Sequence, residues 1–151
     1  MFAYISMCRA FYPLLKARGG GVIVNIVGNG SRMKRFDYIC GGMANAALDL
    51  LTETLGAAGP QDGIRVVGIS PGPVGTERYR KLAAEREAAL GEKRSYPFDR
   101  VATPEEVASM VTFVASGRAS YVSGSIITID GGMSASRERG RRTNDSDVTE
   151  K

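Results

Sequence analysis

Short apolar runs rich in β-branched residues alternate with segments of helical periodicity, and this alternation most constrains the fold of the chain. The runs lie at residues 22–27, 64–69 and 125–130. The first is continuous, without polar residues at alternate positions, which predicts a strand covered on both faces. The second is also predicted to be buried. Strands that alternate with helices indicate a parallel α/β sheet.

The helices have recognisable boundaries and apolar faces. A first helix is predicted over residues 1–17 and stops at three glycines, and a second over residues 38–57 ends near Gly59. A later helix starts at Thr103 as N-cap, with Pro104 at its first position and Glu106 at its third, the pattern of a capping box. A further helix at residues 77–90 is charged with a thin apolar face, which favours a mobile lid over a plain exposed helix.

Composition excludes several function classes. The chain has two cysteines, Cys8 and Cys40, without a CxxC pair, and it has no histidine, so a metal site built from nitrogen and sulfur ligands is not expected. Unpaired thiols and the lack of an apolar run of about 20 residues predict a cytoplasmic protein that does not span a membrane. The net charge of +4 is small and scattered, which argues against a nucleic-acid partner.

The turn after the second strand resembles a segment of the short-chain dehydrogenase/reductase family. Pro71, Gly72, Val74 and Thr76 match all fixed positions of that family's PGxVxT motif. Ligands of open parallel sheets bind beyond the carboxyl ends of the strands, where this turn lies. The resemblance implies that these four residues hold the nicotinamide end of NAD or NADP. The alternative is a tight strand-to-helix turn in which Thr76 only caps a helix.

Later motifs resemble the same family at matching spacing, and they extend the resemblance over residues 1–135. They lie at residues 102–108, 113–116, 121–125 and 130–133. The resemblance implies a partial Rossmann-like, doubly wound parallel sheet of the α/β class, corresponding to the C-terminal half of the family's domain. It also implies that the first two helices pair with their counterparts in a homo-oligomer. Residues 136–151, which include a basic cluster at 137–142, are predicted to be a disordered tail.

The catalytic positions of the family are changed. Where the family has Ser, Tyr and Lys, this chain has Gly28, Gly41 and Asn45. Hydride transfer at an oxygen-bearing carbon needs a group that exchanges the hydroxyl proton, and neither Gly41 nor Asn45 does so. Tyr38, three residues before Gly41, is the candidate replacement, and its alternative role is an amphipathic tyrosine at a helix start.

Other polar residues near Tyr38 are candidates to assist it in the reaction. Asn29 and Ser31 follow the first strand, and Lys34 is four residues before Tyr38, a spacing that brings two side chains together in a helix. Neither GxGxxG nor TGxxxGxG occurs, so the glycine loop that binds the cofactor pyrophosphate is not in this chain. The expectation is therefore a sequence that starts within a longer domain.

Two functions follow from these observations. The first is an NAD(P)-dependent oxidoreductase that transfers hydride on a small alcohol or carbonyl substrate, in a chain that lacks the N-terminal part of its domain. The second is an inactive relative that binds or oligomerises with a partner, which the changes at Gly28, Gly41 and Asn45 motivate.

Overall fold

A computed structural model describes residues 1–33, 36–91 and 95–135, and within these ranges the side chains of residues 37 and 90 are not described. Four helices and three strands form the framework. The helices are α1 (Phe2–Ala17), α2 (Ile39–Ala58), α3 (Glu77–Leu90) and α4 (Pro104–Ala115). The strands are β1 (Gly21–Ile26), β2 (Ile64–Pro71) and β3 (Ile126–Ile129). The predicted elements are confirmed, with boundaries that differ by one or two residues. The predicted tail and Lys34 lie outside the described residues.

The three strands form one parallel sheet in the order β1–β2–β3. Gly21 pairs with Ile64 and Ile26 with Ile69, while Gly68 to Pro71 pair with Ile126 to Ile129. The helix α2 connects β1 to β2, and α3 and α4 connect β2 to β3, as expected for parallel neighbours. The parallel α/β sheet predicted from the alternating pattern is therefore present.

The central strand β2 is covered on both faces. Val67 and Ile69 are fully buried and pack with Val114 of α4. On the other face, α2 buries Leu48 and Thr52. The edge strand β1 is only half-buried along most of its length, because a single neighbouring strand pairs with it. The β-branched run predicted that β1 is covered on both faces, but β1 is only half-buried. Among the described strands, β2 alone is fully covered on both faces.

Close backbone approach fixes α2 against the sheet. A Cβ atom at Gly56 would lie 2.9 Å from the Val66 carbonyl oxygen and against the backbone of Gly124. In the same layer, Asn25 Nδ2 donates to Thr52 Oγ1 at 2.9 Å, and Thr52 Oγ1 donates to the Leu48 carbonyl at 2.7 Å. These buried bonds join β1 to α2 and fix the distance between the strand and the helix.

The predicted capping box at α4 is present and is extended by an ion pair. Glu106 N donates to Thr103 Oγ1 at 3.2 Å, and Thr103 N donates to Glu106 Oε2 at 2.8 Å. Arg100 binds both oxygens of the Glu106 carboxylate, at 2.7 and 2.9 Å. These bonds, the Arg100 bond first, lower the pKa of Glu106 from an ordinary value near 4.5 to about 2.

Acid should therefore weaken the start of α4, and Glu106→Gln should remove that sensitivity. A lowered carboxyl pKa stabilises the fold above the unfolded value of about 4.5, and the stabilisation is lost as the pH falls through about 2. We expect urea midpoints of the unchanged protein to fall over this pH window and those of Glu106→Gln to fall less. The control is Glu105→Gln in the same helical turn. An identical pH profile for Glu106→Gln and the unchanged protein would contradict the assignment.

Candidate active site

A cleft of about 430 Å³ lies at the carboxyl ends of β1 and β2. Ligands bind at this edge in open parallel sheets, and the sequence predicted the site there. The wall combines glycine and proline backbone with two tyrosines. The lining residues are Val27, Gly28, Asn29, Gly30, Met33, Tyr38, Asn45, Pro71, Gly72, Pro73, Tyr79 and Met133.

Asn45 anchors the turn that follows β1. The chain leaves the strand through Gly28, whose φ of 96° favours glycine, and enters a short 3₁₀ turn at Asn29–Ser31. With its amide nitrogen facing the carbonyl, Asn45 donates to Val27 O at 2.9 Å and accepts from Gly30 N at 3.3 Å. Asn45 is thus a positioning residue for this turn. Sequence reasoning had assigned it no role.

The ring of Tyr38 occupies the space that a side chain at position 41 would fill. A Cβ atom at Gly41 would lie 2.6 Å from both Cε1 and Cε2 of Tyr38. A Cβ atom at Gly30 would lie 2.6 Å from Tyr38 Cε1 and from the side-chain amide of Asn45. Real Cβ atoms do not approach other heavy atoms this closely, so the glycines at 30 and 41 make room for the Tyr38 ring. The Tyr38 ring therefore lies beside residue 41, the position at which the resemblance leads us to expect a tyrosine.

Polar groups predicted beside Tyr38 divide into two sets. Asn29 lines the cleft, whereas Ser31 donates to Asp49 Oδ2 of α2 at 2.6 Å. This bond ties the 3₁₀ turn to the same helix face that carries Asn45. Ser31 thus supports the turn and does not line the cleft.

The four residues of the predicted cofactor turn have different surroundings. Pro71 and Gly72 form part of the cleft wall. Gly72 N donates to Ile129 O at 2.9 Å, and a Cβ atom at Gly72 would lie 2.8 Å from Asp130 Cβ. Only glycine therefore fits between the cleft and β3.

Val74 and Thr76, in the second half of the turn, bind to neighbouring segments of the protein. Val74 forms a parallel bridge with Ala102. Thr76 caps α3, since its Oγ1 accepts from Tyr79 N at 3.2 Å. Neither residue lines the cleft, and the capping role that was the alternative for Thr76 is present in the structure. An accepting hydroxyl keeps its own hydrogen to donate, so the cap does not prevent a ligand contact.

Asp130 lies behind Gly72 at the end of β3. Partial burial acts to raise the pKa of this carboxyl, but hydrogen bonds from Ser134 and Gly132 outweigh it and the pKa is lowered. The backbone N–H groups of Gly132 and Ser134 donate to the carboxylate at 2.9 and 2.8 Å. The charge is thus held by the turn that closes β3, and it fixes the strand end beside the cleft.

Tyr79 places a second phenol in the cleft, and sequence reasoning did not single it out. It lies in the first turn of α3, and its hydroxyl donates to the hydroxyl of Tyr96 across an edge-to-face ring contact. The helix that the sequence predicted as a lid therefore borders the cleft through Tyr79. The signal available in the sequence was its position three residues after the Thr76 cap.

Among the described residues, no cluster of His, Cys, Asp or Glu has the geometry to hold a metal ion. None of the helices in those ranges is long and apolar enough to cross a bilayer.

Comparison with known proteins gives consistent results. A family profile described as Enoyl-(Acyl carrier protein) reductase matches residues 1–134. The chain is 37% identical over 129 residues to the peroxisomal 2,4-dienoyl-CoA reductase of Rattus norvegicus, covering 84% of this chain and 44% of that protein. It is 36% identical over 126 residues to galactitol 2-dehydrogenase (L-tagatose-forming) of Cereibacter sphaeroides, covering 82% and 50%. The chain therefore spans about half the length of the curated relatives that it matches.

Solved structures agree with the fold. The L-sorbose reductase of Gluconobacter frateurii, complexed with NADPH and L-sorbose, matches with a TM-score of 0.80 and 31% identity, over 88% of this chain and 54% of that one. A 7α-hydroxysteroid dehydrogenase complexed with NADH and 7-oxo glycochenodeoxycholic acid matches with a TM-score of 0.77 and 27% identity, over 87% and 51%.

Proposed function

Since the chain belongs to the short-chain dehydrogenase/reductase family, we propose that it transfers hydride between NAD or NADP and an alcohol or carbonyl carbon, with Tyr38 as the proton-exchanging group. The observation that supports this proposal most is the Tyr38 ring in the space above Gly41. A phenol is thereby kept next to the family's tyrosine position although that position has lost its side chain. The chain spans about half the length of the relatives named above, and their type of activity comes to this chain only as part of the same proposal.

The residues present suit the nicotinamide end of such a cofactor. The glycines at positions 28, 30 and 72 line the cleft with bare backbone, so a flat ring can approach without meeting side chains. We assign Pro71 and Gly72 to the wall under that ring. The Val74 N–H and the Thr76 hydroxyl, which lie in the same turn but outside the cleft lining, are proposed as further donors to the cofactor. When bound, the reduced cofactor supplies the hydride.

Tyr38 moves the proton in this proposal. In the reducing direction its hydroxyl gives a proton to the oxygen of the substrate carbonyl, and in the oxidising direction it takes that proton back. Asn45 contributes by holding the Gly28–Gly30 backbone, so the floor of the cleft keeps its shape beneath the substrate.

A second substrate class is favoured by the comparisons. The matched profile is described as an enoyl reductase, and four relatives at 35–40% identity are named 2,4-dienoyl-CoA reductases. Reduction of a conjugated double bond leaves negative charge on the thioester oxygen, which needs hydrogen-bond donors more than a strong base. The Tyr38 phenol is a suitable donor, and the Tyr79 phenol becomes one when its hydrogen bond with Tyr96 is reversed so that Tyr96 donates. Oxidation of NADPH with an enoyl thioester but with no ketone would select this class.

The cofactor assignment is tested by titrating reduced nicotinamide mononucleotide, which needs no pyrophosphate loop. We expect saturable binding, followed by fluorescence, that is weakened by about tenfold or more in Gly72→Val, because the new side chain pushes the turn off Asp130. Thr76→Val should also weaken binding, whereas Thr112→Val on the outer face of α4 should not.

The titration also decides between the two functions. No binding of the mononucleotide, together with no oxidation of NADH or NADPH by ketone or enoyl thioester in the presence of the chain, would contradict the proposed function. The inactive binding partner would then be the better description.

We also propose that the protein is a homo-oligomer assembled through α1 and α2. Both helices leave large apolar side chains in contact with solvent, among them Phe2, Met7 and Leu14 of α1 and Met43 and Leu50 of α2. Exposed apolar patches of this kind mark interfaces in soluble proteins.

Light scattering after gel filtration tests the assembly. We expect a mass above that of one chain, which falls to the monomer value in the double variant Leu14→Glu/Leu50→Glu. The matched control, Leu82→Glu, places the same change on exposed α3. A monomer before any substitution would contradict the proposal. Two further features of the protein remain predictions. One is the cytoplasmic location, which rests on the free thiols of Cys8 and Cys40, and the other is a family branch that has lost the Ser–Tyr–Lys triad.

A further inference from the structure

A second chamber of about 220 Å³ adjoins the cleft on the other side of Pro73. Pro73 and Met133 line both spaces, so the two are neighbours across one residue layer. The additional walls come from the loop before α4 and from the end of β3. They are formed by Tyr96, Pro97, Phe98, Arg100, Val101, Ala102, Glu106, Ile129, Asp130 and Gly131.

The polar groups that line this chamber are already engaged with protein atoms. Arg100 and Glu106 form a two-pronged ion pair with each other. The Asp130 carboxylate accepts from the backbone of the turn that follows it. The Tyr96 hydroxyl accepts from Tyr79. A charged ligand would compete with the Arg100–Glu106 pair and with the turn that holds Asp130, whereas an apolar ligand leaves all of these bonds intact.

We propose that the chamber binds an apolar chain of the substrate whose reacting carbon lies in the cleft; this rests on the proposed function. Tyr79 lines the cleft and Tyr96 lines the chamber, and their ring centroids are 6.4 Å apart. This pair of phenols therefore lies between the two spaces. A cavity of about 150 Å³ holds benzene, so the chamber has room for roughly six to eight carbons. The substrate is thus a carbonyl or enoyl compound with a medium-length aliphatic tail.

Binding of a homologous series tests the chamber without cofactor or turnover. Methyl ketones from pentanone to tridecanone are titrated by calorimetry against the full chain. We expect affinity to rise about fourfold for each methylene that enters the chamber and then to level off once it is full. Val101→Phe, which fills the chamber, should flatten this rise, while the matched control Leu82→Phe on the exposed side of α3 should keep it. A flat series with the unchanged chain, or a rise that survives Val101→Phe, would overturn the proposal.

A photoreactive probe covers the case in which Val101→Phe does not fold. Undecanone with a diazirine on its terminal carbon is irradiated with the unchanged chain, and the labelled peptides are mapped. Labels within residues 96–102 or 129–133 are expected. A second apolar groove, between α1 and β1, offers about 420 Å³ and is lined by Met7, Phe11 and Val22 among others. Labels there instead, or no specific labels, would overturn the proposal.

The chamber and the proposed function can be contradicted independently of each other. Chain-length dependence without hydride transfer would support the chamber and count against the oxidoreductase. Hydride transfer at a rate and affinity independent of tail length would support the oxidoreductase and count against the chamber.

Discussion

Tyr38→Phe is expected to lower kcat for NAD(P)H-dependent reduction by about 10²- to 10⁴-fold, the usual contribution of a positioned acid or base. The substitution removes one oxygen and leaves the ring between Gly30 and Gly41, so the cleft keeps its shape. Cofactor affinity should therefore stay unchanged, and the loss should be seen in single-turnover measurements of the hydride step.

Two further tyrosines serve as a control and as a competing candidate for this prediction. Tyr121→Phe is the matched control, because that side chain is fully exposed. Tyr79→Phe tests the competitor, because Tyr79 brings the other phenol to the same cleft. Loss of activity in Tyr79→Phe with full activity in Tyr38→Phe would move the proton-exchanging role to α3 and contradict our assignment.

Gly41→Ala offers an independent check on the position of the Tyr38 ring. A methyl group at residue 41 meets that ring, which is half-exposed and free to swing outward. Alanine is also a better helix former than glycine, by up to about 1 kcal/mol, and residue 41 lies in the first turn of α2. We therefore expect a fall in kcat with unchanged or higher stability, a combination that a purely structural role of Gly41 would not produce.

The parts of the fold that were predictable depend on local sequence. Thr103, Pro104 and Glu106 form a capping box through bonds within four residues, so the pattern alone located the start of α4. The cleft was also predictable, since the carboxyl ends of parallel strands meet at one edge of a sheet. The difference in β1 has a tertiary cause, because pairing of Gly21 with Ile64 starts that strand one residue earlier than its apolar run.

The parts of the site that were missed depend on contacts between distant segments. Nothing near Tyr38 in the sequence shows that its ring fills the space above Gly41, since this follows from the short 3₁₀ turn Phe36–Tyr38 before α2. The pairing of Tyr79 with Tyr96 likewise joins residues 17 positions apart. In the sequence, Asn45 drew attention only because the resemblance leads us to expect a lysine at that position. Its role in the structure comes from hydrogen bonds to the backbone of the turn that follows β1.

Arg65 carries the largest expected effect on stability. It lies in β2, and its guanidinium donates to three backbone carbonyls where α4 ends and where the chain turns toward β3. Nη1 donates to Val114 O at 3.0 Å and to Val122 O at 3.2 Å, and Nη2 donates to Ser116 O at 3.1 Å. The last carbonyls of a helix lack partners within the helix and carry partial negative charge, so a cation there both satisfies and stabilises them.

Arg65→Met should lower the free energy of unfolding by about 3–5 kcal/mol, because three charge-assisted bonds are lost and the partly buried carbonyls keep no equivalent donor. Domains of this size have total stabilities of about 5–15 kcal/mol, so the variant should be close to unfolding. Urea denaturation followed by circular dichroism measures the change. Arg86→Met on the exposed face of α3 is the matched control, and a difference of less than about 1 kcal/mol between the two variants would contradict the assignment.

Arg65→Lys separates charge from geometry and connects this residue to the cleft. An ammonium group keeps the charge but lacks the planar fork that reaches several carbonyls at once, so we expect an intermediate loss of stability. The segment after Val122 leads through Gly124, which packs on Gly56 of α2, into β3 and Asp130 behind the cofactor turn. A partly loosened end of α4 should therefore also weaken binding of reduced nicotinamide mononucleotide. If Arg65→Lys lost stability but bound the mononucleotide as tightly as the unchanged chain, the end of α4 would not position the cleft.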